Sequence, residues 1–278
     1  MTTRRASAPK ASPKAPTGIA GFDLITGGGV PRGRTTVIYG GPGSGKTVFG
    51  LQFLLYGAQS CNEPGILVAF EETSERILAN AQTFGWELEA QLPERLFILN
   101  TQPKFDEVQS GDFDLCGMLA ALQAKARAMK ARRIVFDALD MALVLLPDQT
   151  ARRRELFRLH EWLLANELTA LITAKTVVDA PGLSTQQQPL ALMQFMVDCI
   201  VVLNHDVVMG VSRRNLRVQK YRGSGFDEDE APFVISKTGI EVAPSNRLPS
   251  QVQEPAVSFA PESPPPRAKR RTAKVKPA

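Results

Sequence analysis

From residue 17 to residue 242 the chain alternates two kinds of hydrophobic pattern. The first is a short apolar run rich in β-branched residues. It occurs at Thr35-Thr36-Val37-Ile38-Tyr39, Ile66 to Phe70, Leu96 to Leu99, Arg133-Ile134-Val135-Phe136-Asp137 and Leu168 to Thr173. Runs of this length without polar alternation predict strands buried on both faces. The second pattern repeats apolar positions at helical spacing. Val48 to Ala58 carries Phe49, Phe53, Leu54 and Ala58, and Asp112 to Lys130 carries Leu115, Met118, Leu119 and Leu122 on one face. Ser74 to Phe84, with Thr73 as N-cap, and Ala151 to Asn166 complete the predicted helices. Asp198 to Leu203, Arg214 to Lys220 and Pro232 to Ile235 read as strands without helices between them, and Val177 to Pro189 as a polar loop. Strands separated by helices predict an α/β fold, a mostly parallel sheet with helices on both faces. The late strands predict an antiparallel C-terminal extension.

Composition narrows the class. The chain has 278 residues, 44% of them hydrophobic, enough for a sizeable core. No run of 18 apolar residues exists, so no membrane span is expected, and the basic N-terminus lacks the apolar stretch of a secretory signal. Cys61, Cys116 and Cys199 are scattered and odd in number, as in a reduced, cytoplasmic protein. His160 and His205 have no metal-ligand spacing, so a zinc site is not expected.

The net charge of +5 is concentrated at the ends. Four basic side chains fall in residues 1–16, and seven basic against two acidic fall in 243–278, so the segment between is net acidic. Both ends are also rich in Pro, Ser and Ala, and are expected to be disordered basic tails flanking one folded domain over 17–242. An acidic folded part, with no aromatic residue interleaved among the clustered basic side chains of the tails, speaks against a nucleic-acid groove, although the tails permit one electrostatically.

Chemistry enters at Gly40-Gly41-Pro42-Gly43-Ser44-Gly45-Lys46-Thr47. This is the G-x-x-x-x-G-K-[ST] phosphate loop, and it stands where it must, between a strand and a helix. Its glycines let backbone N–H groups wrap a phosphate, and the helix that follows turns its positive end on the same anion. Lys46 supplies a charge to the β- and γ-phosphates, and Thr47 a hydroxyl to Mg²⁺. Asp137, delivered at the end of an apolar strand, is the candidate to hold Mg²⁺ through water, with Asp140 one helical turn away as a second candidate. Glu71 and Glu72 end the second strand on the same sheet edge. One carboxylate there could poise a water beside the γ-phosphate while the other tunes it or binds metal.

Several further motifs carry a resemblance. Thr17-Gly18-Ile19-Ala20-Gly21-Phe22-Asp23 and Gly27-Gly28-Gly29-Val30-Pro31-Arg32-Gly33 precede the phosphate loop. Phe70-Glu71-Glu72-Thr73, Phe84-Gly85-Trp86, the basic helix from Arg152 to Leu159, and Lys220-Tyr221-Arg222-Gly223-Ser224 follow it. Together they resemble the KaiC family, a branch of the RecA-like P-loop ATPases that includes the cyanobacterial circadian clock ATPase, over about 17–242. The resemblance implies a hexameric ring with ATP and Mg²⁺ between subunits. Gly41, Pro42, Gly43, Ser44, Gly45, Lys46 and Thr47 of one subunit would hold the phosphates, with Glu71, Glu72 and Asp137 beside them. Lys220 and Arg222 would reach the γ-phosphate held by the neighbouring subunit, an arginine finger in trans. Tyr221 and Ser224 would join the nucleotide contacts, with Phe226, where the family often has His, near the base.

Two departures qualify that picture. The clock protein has two such lobes in tandem, where this chain has one. Its second lobe is autophosphorylated on a Ser-Thr pair, and the corresponding positions here hold Gln194 and Phe195. The chain therefore resembles the first lobe, a slow ATPase that forms the ring. Ser184 and Thr185 are other hydroxyls in the polar loop, with nothing to mark them. Three alternatives stand beside the ATPase: a Ser/Thr autokinase of the clock type, a RecA-like nucleic-acid-binding module, and a signalling scaffold whose ATP state sets docking of regulatory protein partners.

Overall fold

The computed structural model describes residues 12–101, 115–175 and 193–243. Along them run β1 (Lys14–Ala15), α1 (Ala20–Ile25), β2 (Val30–Pro31), β3 (Thr35–Gly40), α2 (Lys46–Ser60), β4 (Gly65–Ala69) and α3 (Ser74–Gln82). Then come β5 (Leu96–Asn100), α4 (Leu115–Met129), β6 (Arg133–Asp137), α5 (Leu139–Leu143), α6 (Gln149–Ala165) and β7 (Thr169–Lys175). The last are α7 (Met193–Met196), β8 (Cys199–Val208), β9 (Val211–Tyr221), β10 (Ala231–Ser236) and β11 (Gly239–Val242). Residues 1–11 and 244–278 of the expected tails, the start of the predicted helix at Asp112, and the loop at 177–189 with Ser184 and Thr185 lie outside the described residues.

The apolar runs become the middle of one sheet of nine strands, ordered β11-β10-β9-β8-β3-β7-β6-β4-β5. From β8 to β5 the pairings are parallel, and from β8 outward to β11 they are antiparallel. This is the predicted α/β architecture with its antiparallel extension. The side chains of the central strands alternate between two packed layers. Ile38, Leu67, Val135 and Leu171 face a core shared with α1, α2 and α3, through Phe22, Phe49, Phe53 and Ile77. Val37, Ile66, Phe136 and Ile172 face a core shared with α4, α5 and α6, through Leu119, Leu122, Leu143 and Leu159. Burial on both sides is why these strands read as unbroken apolar runs. At about 1.5–3 kcal/mol for each large apolar side chain removed from water, the two layers dominate the stability of the fold.

Several elements differ from the sequence expectation. Lys14 and Ala15, within the segment expected to be tail, pair with Pro31 and Val30, and Ala15 is fully buried. Helix α1, helix α5 and strand β11 are four to six residues long, too short to show a period. The strands foreseen at Asp198–Leu203 and Arg214–Lys220 extend into one long hairpin, closed by Met209 and Gly210 at φ 51 and 77. Positive φ at both turn residues matches strand twist. The far half of that hairpin runs past Leu203, the last residue of β8 paired with β3, and past Asn215, the last residue of β9 paired with β10.

Candidate active site

The end of β3 turns tightly into α2. Gly45 is the residue that makes the turn, at φ +100, and a Cβ there would come within 2.9 Å of Ile235 Cδ1. Gly40 must also lack a side chain, since a Cβ would lie 2.3 Å from Ser44 Oγ and 2.8 Å from the Leu203 carbonyl. α2 starts at Lys46, so its unpaired N–H groups and positive end face the loop. Lys46 Nζ donates to the carbonyls of Gly40 at 2.8 Å and Gly41 at 2.9 Å. Burial pushes its pKa below the usual lysine value, against the pull of Asp137, Asp140 and Glu71.

An open cleft of about 530 Å³ lies over the loop, lined by Lys46, Thr47, Glu71, Glu72, Asp137 and Lys175 among others. Three adjacent strand ends build its floor. Asp137, at the end of β6, is buried, and accepts from Thr47 Oγ1 at 2.9 Å and from Thr173 Oγ1 at 2.6 Å. Burial raises its carboxyl pKa, while the two hydroxyls and Lys46 pull the other way. The next residue, Ala138, takes φ +61, a left-handed conformation that costs energy without glycine, and its N–H donates to Thr173 Oγ1 at 2.8 Å. Asp140 also titrates above the usual carboxylate range because it is desolvated.

Glu71 and Glu72 follow β4 on the same rim, with different partners. Glu71 Oε1 lies 3.2 Å from Lys175 Nζ, whereas Glu72 Oε2 accepts from Asn80 Nδ2 at 3.1 Å. Thr173 and Lys175 were not foreseen from the sequence. The available signal was the strand that carries them: it alternates, so Thr173 and Lys175 share a face, and its end meets the loop.

Lys220 and Arg222 are not brought to this cleft within one chain. On β9, Tyr221 pairs with Cys199 of β8, which pairs with Thr36, whereas the phosphate loop begins at Gly40, opposite Leu203. Four residues of strand separate those levels, roughly 13 Å at about 3.3 Å per residue. Lys220 Nζ donates to the Gln194 carbonyl at 2.7 Å, and Arg222 Nη2 to the Phe195 carbonyl at 2.9 Å. Ser224 donates to the Gly225 carbonyl at 2.9 Å near the same end of the sheet. Tyr221 takes the opposite face from its neighbours. It is 6% exposed, its hydroxyl donates to the Gly29 carbonyl at 3.0 Å, and Lys14 Nζ sits 5.1 Å from its ring centroid. Grouped with the nucleotide contacts by its place in the motif, Tyr221 at the end of β9 packs here into the core, on the opposite face from Lys220. Phe226 packs beside it, with ring centroids 6.1 Å apart.

A phosphate loop joining the central strand to its helix, with a carboxylate on a strand two places away, defines a P-loop nucleoside triphosphatase domain of RecA-like architecture. Comparison with known proteins narrows the class: residues 15–247 match the family described as "ATPase: KaiC", and the chain belongs to that family. It is 38% identical over 237 residues to circadian clock protein KaiC2 of Synechocystis sp., an alignment covering 84% of this chain and 41% of that protein. It is 38% identical over 238 residues to circadian clock oscillator protein KaiC of Parathermosynechococcus lividus, covering 84% and 42%. Circadian clock protein KaiC3 of Synechocystis sp. is 34% identical over 239 residues, covering 84% and 46%. The chain thus spans less than half the length of these curated relatives. No helix among the described residues is long and apolar enough to cross a membrane.

Proposed function

We propose that the domain binds Mg-ATP in the cleft over Gly41–Thr47 and hydrolyses it to ADP, at sites shared between subunits of a hexameric ring in the cytoplasm. One observation carries the shared site: the cleft holds a complete phosphate loop and acidic groups, while Lys220 and Arg222 stand at the far end of the sheet. A chain with such geometry can complete a neighbour's site and not its own. The oxygen donors of Thr47 and Asp137, 2.9 Å apart, suit a hard divalent cation such as Mg²⁺, which when bound neutralises charge on the phosphate oxygens.

The chain's own groups would divide the work. Lys46 exchanges its two loop carbonyls for phosphate oxygens, a gain because charge-assisted bonds to an anion are stronger than bonds to neutral carbonyls. The helix N-terminus and the loop N–H groups fix the phosphate chain. Glu71 or Glu72, side by side on the rim, accepts the proton of the attacking water. Lys220 and Arg222 from the neighbour oppose charge on the transferring phosphoryl group, and Ser224 lies at the nucleotide's edge. The names of the relatives support a regulatory, clock-like role for the ring, with protein partners reading its nucleotide state. Gln194 and Phe195, whose carbonyls hold Lys220 and Arg222, offer no hydroxyl for autophosphorylation.

Solution mass with and without Mg-ATP, on wild type and Arg222→Ala, tests the proposal. A nucleotide-dependent hexamer whose turnover is lost in Arg222→Ala is the expected result. A monomer that hydrolyses ATP equally well in both would refute it. Lys46→Ala is expected to weaken ATP binding roughly ten- to a hundredfold, as for a lost charge-assisted bond, with the fold retained.

A further inference from the structure

Lys175 closes β7 at the position paired with Gly40, the first residue of the phosphate loop. β7 lies between β3 and β6, and β4 lies beyond β6, so Glu71 and Lys175 stand on strand ends two places apart. Their side chains meet at 3.2 Å, over the end of β6 that delivers Asp137. Lys175 Nζ also lies 3.7 Å from Met141 Sδ of α5. Charged groups around the pair, among the described residues, include Lys46 from α2, Glu72 beside Glu71, and Asp137 and Asp140 from β6 and α5.

An ion pair exposed to this degree adds little to stability, so its value does not lie in holding the fold together. Its placement suggests another use. Of the two carboxylates on the rim, one is held by a neutral amide and the other by a cation that the sheet fixes beside the phosphate loop. A carboxylate that must take a proton from water at one place needs a fixed orientation before the reaction, and a cation on the adjacent strand end supplies it.

We propose that Lys175 is a positioning residue for Glu71, holding that carboxylate over the strand ends as the acceptor of the water proton and so distinguishing it from Glu72. The inference rests on the hydrolase reading above. Lys175 acts on the turnover step through Glu71, and it contributes little to nucleotide affinity.

The test is steady-state Mg-ATP hydrolysis by the full chain, for wild type, Lys175→Met, Lys175→Arg, Glu71→Gln and the double variant Glu71→Gln/Lys175→Met. Melting curves on all five would show that each is folded. Lys175→Met is expected to lower kcat by roughly tenfold, a part of the hundredfold or more that a positioned base supplies, with KM within about twofold. Lys175→Arg restores most of the loss. In the Glu71→Gln background, Lys175→Met causes no further loss, because residues that act as a unit are not additive. Three results would overturn the inference: unchanged kcat in Lys175→Met, a raised KM at constant kcat, which would make Lys175 a phosphate ligand, or losses that multiply in the double variant. A wild-type protein that binds Mg-ATP without turning it over would overturn the hydrolase reading itself, and Lys175's role with it. That failure is recognisable because it appears before any substitution is made.

Discussion

The hydroxyl of Thr47 donates to Asp137 Oδ2 at 2.9 Å, tying the first turn of α2 to a strand two places away in the sheet. Ninety residues separate the two in sequence. The bond, with that from Thr173, gives a buried carboxylate two donors and no ion pair at hydrogen-bond distance among those the structure shows.

That environment sets a pH dependence. Asp137 has a folded pKa raised above its unfolded value, so its protonated form is favoured in the folded state. Stability is unaffected below the unfolded value near 3.8, and falls as pH rises from there through the folded pKa, where the native carboxyl ionises last. Asp137→Asn removes this penalty. In nucleotide-free protein the variant is expected to gain stability relative to wild type as pH rises above the unfolded value near 3.8, a trend that follows from linkage alone. Urea unfolding at a series of pH values measures it, and parallel curves for the two proteins would contradict it. The same variant loses a metal-ligating oxygen and is expected to lose Mg-dependent turnover.

Gly45→Ala tests the loop directly. The substitution forces φ +100 on a residue with a Cβ and presses that atom within 2.9 Å of Ile235 Cδ1. Strain of this kind costs about 1–3 kcal/mol. The expected outcome is a melting temperature lowered by several degrees and ATP affinity reduced at least tenfold. Calorimetric titration with ATP beside a thermal melt would show it, and wild-type affinity would mean that the turn is not needed to cradle phosphate.

Complementation tests whether Arg222 works across an interface. A ring of Arg222→Ala subunits lacks the finger, and a ring of Glu71→Gln subunits lacks the base, so each alone is expected to be nearly inactive. Mixed in equal amounts before assembly, they should regain roughly a quarter of wild-type turnover, the chance that a random interface joins an intact cleft to an intact finger. No recovery on mixing, with hexamers present, would show that Arg222 acts within its own chain or not at all.

Tyr221→Phe separates core from contact. The substitution deletes the hydroxyl that donates to Gly29 and leaves a buried carbonyl unpaired, a loss of about 1–3 kcal/mol. Stability is expected to fall accordingly, while ATP affinity changes less than twofold. A variant of wild-type stability with weakened ATP binding would return Tyr221 to the nucleotide site.

The central strands and the phosphate loop were legible because their signals are local. Residues 37–39 and 134–136 must be apolar on both faces once helices cover the sheet, and the loop needs glycine, Lys46 and Thr47 in fixed order whatever surrounds them. Asp137, Glu71 and Glu72 were legible as strand-end acids for the same reason. The short elements α1, α5 and β11 were not, since four to six residues complete at most one or two periods.

The α/β class, the phosphate loop and the residue types that serve it can be read from the chain alone, because propensity and motif spacing act within a few residues of one another. Which of those residues meet is a product of the packed fold. It put Lys175 beside Glu71 and left Glu72 to Asn80, turned Tyr221 into the core on the opposite face from Lys220, and set Arg222 a sheet's length from Gly40. Each of those outcomes depends on strand order and register, which bring together residues far apart in sequence and are written in no single segment of it.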